Sequence, residues 1–345
     1  MSILRKDPVS SGWVIMARDR AIRPHDTKSP KVIRTASPNC PFCEGKEGVT
    51  PPEIVAYRNP GSPPNGPKWR VRTIPNMYAA LHIEGDLERR GEGMYDAMNG
   101  VGAHEVIIET PNHMDRMGEY PAESLAEVLR MYRDRVRDLY QDERFRYIQV
   151  FRNYGSIAGA SLSHPHSQLI AIPITPRWVK EELICSKEHW QTKERCLFCD
   201  IVRQEESDAE RVVFKNDHFL SFAPYASKFP FETWIVPRRH NSEFRNIADS
   251  ELRPLAETLG ATLWGLQQAL DDPPFNYIIH SAPRISLDRY AQSAISIDKD
   301  YHWHIEIIPR TTSMAGFEWG TGFYINPTMP EAAAEYLRTI LKDRG

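Results

Sequence analysis

Two Cys-x-x-Cys pairs, Cys40-Pro-Phe-Cys43 and Cys196-Leu-Phe-Cys199, head two stretches of the chain that repeat one pattern. They lie much further apart than the roughly 15–20 residues that divide the pairs of a single zinc ribbon, so they belong to two sites. Downstream of the first comes His104-Glu-Val-Ile-Ile-Glu-Thr-Pro-Asn-His113; downstream of the second comes Phe231-Glu-Thr-Trp-Ile-Val-Pro-Arg-Arg-His240. These align without a gap as a buried strand, rich in β-branched and aromatic residues, that runs to a histidine. A helix follows in each. Leu125, Val128, Leu129, Tyr132, Val136 and Leu139 recur at helical spacing after Pro121, and Leu252, Leu255, Leu259, Leu263, Leu266 and Leu270 do so after Asp249. Each helix gives way to a strand, Tyr147–Asn153 and Asn276–His280. Each half then presents a His-x-His, His164-Pro-His166 or His302-Trp-His304, with a strand behind it that ends at Pro173 or Pro309.

Five features in register predict two copies of one α+β unit, over residues 1–175 and 196–345. A linker helix over 176–195 joins them, where Trp178, Val179, Leu183 and Ile184 are helically spaced. The remaining cysteine, Cys185, reads as an ordinary residue of that helix.

The repeat also selects metal ligands. Two thiolates and two imidazoles suit a closed tetrahedral zinc site. His113 aligns with His240, which makes both candidates, whereas His104 aligns with Phe231 and reads as a satisfied strand or surface histidine. The first His of each His-x-His completes the sets: Cys40, Cys43, His113 and His164, then Cys196, Cys199, His240 and His302. Residues i and i+2 of a strand share a face, so such a metal would stiffen the strand that presents His166 or His304. Small buried cysteines and scattered histidines would not recur in register, and neither pair is expected to open a helix after a strand as a redox dithiol does.

The halves differ just before the His-x-His. The first reads Asn153-Tyr-Gly155-Ser-Ile-Ala-Gly159-Ala-Ser161-Leu-Ser163, whose small residues let main-chain N–H groups approach an anion. The second reads Ser293-Ala-Ile-Ser-Ile-Asp-Lys-Asp300, with no glycine and two acids. A phosphate therefore belongs with the first half, and His166 is the candidate nucleophile, since a neutral imidazole can attack phosphorus. Gln168, Ser161 and Asn153 could offset charge on phosphoryl oxygens by hydrogen bonding. Gln168 shares the His166 face and has no titratable proton, which suits holding an intermediate better than activating water.

Composition excludes other classes. With 43 Lys and Arg against 46 Asp and Glu, the net charge is −3, a poor match to a protein held on nucleic acid or an anionic membrane. No apolar run approaches the roughly 18 residues that span a bilayer, and no signal-peptide core follows Met1, so a cytoplasmic protein is expected.

At His164-Pro-His166-Ser-Gln168 the chain resembles the histidine-triad superfamily, specifically its galactose-1-phosphate uridylyltransferase branch, over nearly its whole length. Asn153-x-Gly155 and Ser161 resemble that branch's phosphate segment, and Arg20-Ala-Ile-Arg23 its arginine pair, which reaches a neighbouring subunit. Asn76 resembles its nucleoside turn, and Phe317-Glu318 its sugar-phosphate segment. The resemblance implies a duplicated half-barrel of antiparallel sheets with flanking helices, and a homodimer. It implies zinc in the first site, with zinc or iron in the second. The implied reaction is ping-pong: His166 takes the uridylyl group of UDP-glucose and passes it to a hexose 1-phosphate, giving UDP-galactose when galactose 1-phosphate accepts it. The second Cys-x-x-Cys and the run Gly316–Pro327 look more like the sister ADP-glucose phosphorylase, which moves an adenylyl group to phosphate by the same chemistry. Met77 and Thr312 also depart from the uridylyltransferase pattern, where an acidic residue and a lysine are usual. Superfamily hydrolases place a histidine where Gln168 stands.

Overall fold

The structure is a computed structural model that describes residues 1–17, 31–32, 37–284 and 296–344. Ten antiparallel strands form the central sheet. From one edge inward come β3 (Val55–Arg58), β4 (Trp69–Pro75), β7 (Ala103–Ile108), β9 (His166–Ile172) and β8 (Tyr147–Tyr154). From the other edge inward come β10 (Val212–Lys215), β11 (Phe219–Phe222), β12 (Thr233–Pro237), β14 (His304–Pro309) and β13 (Phe275–His280). The two sets meet where β8 pairs with β13, and they carry the same order of connections. A hairpin, β5 (Arg90–Glu92) and β6 (Tyr95–Ala97), stands apart. A three-stranded sheet joins β1 (Ile3–Lys6) and β2 (Trp13–Met16) to β15 (Tyr324–Asn326), so the two ends of the chain meet.

Strand alternation gives the sheet two faces. On one, Ile148, Val150, Leu169, Ala171, Tyr277, Ile279, Ile305 and Ile307 join the main hydrophobic cluster. That cluster is closed by α1 (Ala122–Leu139), α4 (Asp249–Ala269) and α7 (Pro330–Lys342). The apolar stripe expected of α1 is buried throughout, and that of α4 is buried through Leu266, with Leu270 just beyond the helix end. Each such leucine contributes about 1.5–3 kcal/mol relative to exposure. The opposite face carries His166 and Gln168 on β9 and His304 and Glu306 on β14. A one-residue register slip would turn these four into the core.

α2 (Arg177–Lys193) runs within the expected linker. α3 (Leu197–Asp208) starts directly after Cys196, so the second thiol pair does open a helix, though after α2 rather than after a strand. The first pair sits in turns. The strands expected to end on His113 and His240 stop earlier, at Ile108 and Pro237, and leave both histidines in the following turns. Short helices α5 (Ile297–Asp300) and α6 (Gly316–Thr321) complete the seven α-helices among the described residues, none of which is long and apolar enough to cross a membrane.

Candidate active site and metal centres

β9 begins at His166, and its imidazole Nδ1 lies 2.8 Å from the main-chain oxygen of His164. That carbonyl can only accept, so Nδ1 carries the proton and Nε2 keeps its lone pair. The residue is 6% exposed. Burial pushes its imidazole below the ordinary value, a shift that the His164 carbonyl and the Glu109 charge oppose without cancelling. A neutral, oriented nucleophile results. It looks into a cavity of about 370 Å³ lined by Asn153, Gly155, Ser161 and His164 among others.

The cavity wall needs its glycines. Gly155 has φ +84°, and a Cβ there would lie 2.8 Å from Val32 Cγ2 and 2.9 Å from Pro274 Cβ. The adjoining turn places Asn153 beside the cavity, where Asn276 Nδ2 donates to Asn153 Oδ1 at 2.8 Å and to the Ala158 oxygen at 2.8 Å. With its oxygen so engaged, the Asn153 NH2 is left to donate elsewhere.

Behind β9, on the helical face, lies a polar network that the sequence reading did not find. Arg152 Nε donates to both Glu109 oxygens, at 3.0 and 3.1 Å, with Ser167, Tyr132 and Tyr277 bonded around them. Burial works against the Arg152 charge, but Glu109, Tyr277 and Tyr120 together hold the guanidinium above its usual value. A buried pair of this kind is costly to break, because either partner alone is an uncompensated charge.

Two Cys/His groups could hold metal ions, each with its four donor atoms within 4.8 Å of one another. In the first, Cys43 Sγ lies 3.4 Å from His113 Nδ1 and 3.6 Å from His164 Nδ1, and Cys40 Sγ lies 3.7 Å from His164 Nδ1. A tetrahedral zinc with ordinary bond lengths needs a sulfur–nitrogen edge of about 3.6 Å. Both histidines turn their other nitrogen to an oxygen, His164 Nε2 to Thr110 O at 2.8 Å and His113 Nε2 to Ser163 Oγ at 2.9 Å, the outer support usual for a ligand. Burial, then Cys40, raises the Cys43 thiol. In the second group, Cys199 Sγ lies 3.5 Å from His240 Nδ1 and 3.7 Å from His302 Nδ1. The Cys196 hydrogen bond and the two imidazoles hold the Cys199 thiol low, and the same bond pushes Cys196 up. Both donor sets fit a thiophilic ion.

A third group was not read from the sequence: Glu182, His280, His304 and Glu306, all buried, with donor atoms within 4.8 Å. Glu182 accepts from His280 at 2.6 Å and from Tyr301 at 2.7 Å. The hairpin register puts His280 opposite His304, which motif spacing could have suggested, but Glu182 comes from α2, outside the repeat.

The remaining expectations divide. Gln168 sits beside His166 on β9 and meets His104 Nε2 at 2.9 Å, and Asn76 reaches the same nitrogen at 3.0 Å. Phe317, exposed, and Glu318, half-buried, lie on α6 outside the His166 cavity; Glu318 caps that helix through the Ala315 N–H. Arg20 and Arg23 lie outside the described residues.

The family described as galactose-1-phosphate uridyl transferase, N-terminal domain, matches residues 2–176, and one described as a domain of unknown function (DUF4921) matches 101–344. An ADP-glucose phosphorylase from Arabidopsis thaliana is 36% identical over 98% of this chain and 92% of its own. A galactose-1-phosphate uridylyltransferase from Thermotoga maritima is 28% identical over 98% of each. Among solved structures, the Arabidopsis ADP-glucose phosphorylase with bound ADP-glucose superposes with a TM-score of 0.80 at 34% identity, covering 98% of this chain and 99% of that one. A uridylyltransferase does so with 0.75 at 29%, covering 100% and 99%. Duplicated strand order, His-Pro-His-x-Gln geometry and full-length similarity agree: the chain belongs to the galactose-1-phosphate uridylyltransferase family of nucleotidyltransferases.

Proposed function

We propose that the protein is a UDP-glucose–hexose-1-phosphate uridylyltransferase working by a ping-pong route through His166. The observation that carries this is the buried neutral imidazole, whose unprotonated Nε2 faces the glycine-walled cavity. Nε2 attacks the α-phosphorus of the sugar nucleotide, the bond to the bridging oxygen breaks, and hexose 1-phosphate leaves with the electron pair. The positive charge on the imidazole is shared with the His164 carbonyl through the Nδ1 proton. A phosphate oxygen of the second hexose 1-phosphate, galactose 1-phosphate in this reading, then attacks phosphorus, and the P–N bond returns its electrons to Nε2. Gln168, Asn153 and Ser161 donate hydrogen bonds to the phosphoryl oxygens, and Gly155 lets the wall approach them. By the resemblance, Asn76 is assigned to the nucleoside, Phe317 and Glu318 to a sugar phosphate, and Arg20 and Arg23 to the substrate phosphates of a neighbouring subunit in a homodimer.

Zinc suits the Cys40, Cys43, His113, His164 site and zinc or iron the Cys196, Cys199, His240, His302 site. When bound, such an ion cross-links the thiol turn to the His-x-His segment. The two copies of the unit are residues 1–175 and 196–345, and the protein is cytoplasmic.

A second reading, ADP-glucose phosphorylase, is favoured by the 36% identical Arabidopsis relative. It uses the same His166 chemistry, with an adenylyl group passed to inorganic phosphate. Intact-protein mass after mixing with UDP-glucose or ADP-glucose, without acceptor, tests both. An acid-labile uridylyl adduct with stoichiometric glucose 1-phosphate, discharged by hexose 1-phosphate, supports the first. An adenylyl adduct discharged by phosphate supports the second, and no adduct from either overturns both.

A further inference from the structure

His104 sits on β7 beside Gln168 and touches three groups. The main-chain N–H of Ala80 points at its Nδ1, 3.2 Å away; the Gln168 Oε1 lies 2.9 Å from its Nε2; and Asn76 Nδ2 lies 3.0 Å from the same Nε2. A neutral imidazole has one proton for these neighbours. The Ala80 N–H is fixed by the backbone and can only donate, so Nδ1 must accept and the proton resides on Nε2. That proton then goes to the Gln168 carbonyl oxygen. The Asn76 side chain, whose Oδ1 caps the Tyr78 N–H at 2.9 Å, presents a second donor to Nε2–H, and its NH2 is free to serve a ligand instead.

The consequence lies at Gln168. An amide can stand either way round, and only one way aims its NH2 at a phosphoryl group. With Oε1 claimed by His104 Nε2–H, the NH2 is turned away from His104. The register places Gln168 opposite Val106 on β7 and Phe151 on β8, two residues from His166 on the same face. His104 is anchored in turn to the segment after β4: Asn76 N–H donates to the His104 carbonyl at 2.8 Å, and Ala80 N–H to the ring.

We propose that His104 is a positioning residue for nucleotidyl transfer: its Nε2–H tautomer sets the Gln168 amide with its donor side to the phosphoryl group and ties the Asn76–Ala80 turn to that setting. This rests on the transfer reading of His166. The test has two parts. Long-range ¹H–¹⁵N spectra of histidine-labelled wild-type protein, with His104 identified by the resonance missing in His104→Gln, should show a neutral ring protonated at Nε2. A ring protonated at Nδ1 overturns the assignment whether or not the enzyme transfers nucleotides.

The second part is single-turnover adduct formation with UDP-glucose and with ADP-glucose, read by intact mass. His104→Glu places an acceptor against the Gln168 oxygen and turns the amide round, and His104→Leu leaves it unset. Each should slow adduct formation roughly 100-fold, with the sugar-nucleotide concentration at half-maximal rate changed much less. His104→Gln keeps a donor near the Nε2 position and should restore most of the rate. Equal rates in all three variants, or a loss that tracks melting temperature rather than the donor, would overturn the proposal. A wild-type protein that forms no adduct refutes the His166 reading itself and, with it, this role for His104.

Discussion

The two halves present the same His-x-His in the same backbone setting, but His166 lines a cavity whereas His304 is fully buried. His166 and His304 each begin a strand, and each ring turns Nδ1 to the carbonyl two residues back, at 2.8 and 3.2 Å. Each thiol pair carries a phenylalanine against these rings: Phe42 lies 5.4 Å from His166, and Phe198 lies 4.7 Å from His304. The difference is on the far side. His304 is fully buried between Phe198 and Trp234, and among the described residues its Nε2 has no hydrogen-bond partner, with Glu306 at 3.7 Å. Glu306 occupies the place of Gln168, two residues along. Extending the β8–β9 register by two residues puts Asn153 opposite His166, where the second half has His280 opposite His304. The second half thus fills with acids, imidazoles and aromatics the volume that the first leaves open. Burial opposes a charge on His280, yet Glu182 and Glu306 hold it above the ordinary imidazole value, an internal ion pair where a substrate phosphate would otherwise go.

One substitution made in both halves gives the largest contrast. His166→Gly should lower nucleotidyl transfer by about 10⁴-fold or more, with melting temperature and metal content unchanged. His304→Gly should do the reverse: it opens a cavity in the core and removes one of the groups that balance Glu306, at a cost of about 3–5 kcal/mol, while each folded molecule keeps its rate of adduct formation. Wild-type turnover in the His166 variant would end the comparison.

The thiol pairs come next. Cys40→Ser and Cys196→Ser should each remove one metal equivalent and cost on the order of 3–5 kcal/mol, read by metal analysis and thermal unfolding. Only Cys40→Ser should also slow adduct formation, because His164, held by that pair, offers its carbonyl to His166. An unchanged metal count in Cys196→Ser would remove the second centre.

Both Cys/His groups, and the place of His166 at the cavity, are legible in the chain because Cys-x-x-Cys and His-x-His are short motifs whose geometry is local: a turn in one case, a strand face in the other. Duplication then shows which distant histidine joins each pair. Glu182 could not be read this way, since its partner His280 lies 98 residues further along the chain and α2 falls outside the two repeated units. Glu109 and Arg152 were hidden for another reason. Arg152 stands on a β8 position that alternation assigns to the core and Glu109 just past the end of β7, both places where a charge is expected only when its partner is already known. His104 reads as a satisfied strand or surface histidine, and it does lie on a strand, but what satisfies it is an amide whose orientation no spacing rule contains.

Converting Gln168 into the residue its counterpart carries sharpens the contrast. Gln168→Glu would set a carboxylate against the phosphoryl oxygens and should slow adduct formation by roughly 10²–10³-fold, with little effect on folding. An unaltered rate would mean that this amide does not face the phosphate.

The smallest effect tests whether the open cavity is held open or merely left unfilled. Asn276 lies on β13, so it reaches the first half's cavity from the second half's strand. It engages the Asn153 oxygen, which leaves that amide to donate with its NH2, and it bonds the Ala158 carbonyl in the turn after Gly155. Asn276→Ala removes both bonds, and each is worth about 1 kcal/mol net. If the cavity is an ordered cradle, losing them should cost about 1–2 kcal/mol of stability and lower adduct formation about tenfold, through a phosphate donor no longer held in place. If the cavity is only a gap, stability should fall by the same amount and the rate should not change. In the first case a strand of the second half orders one wall of the first half's cavity.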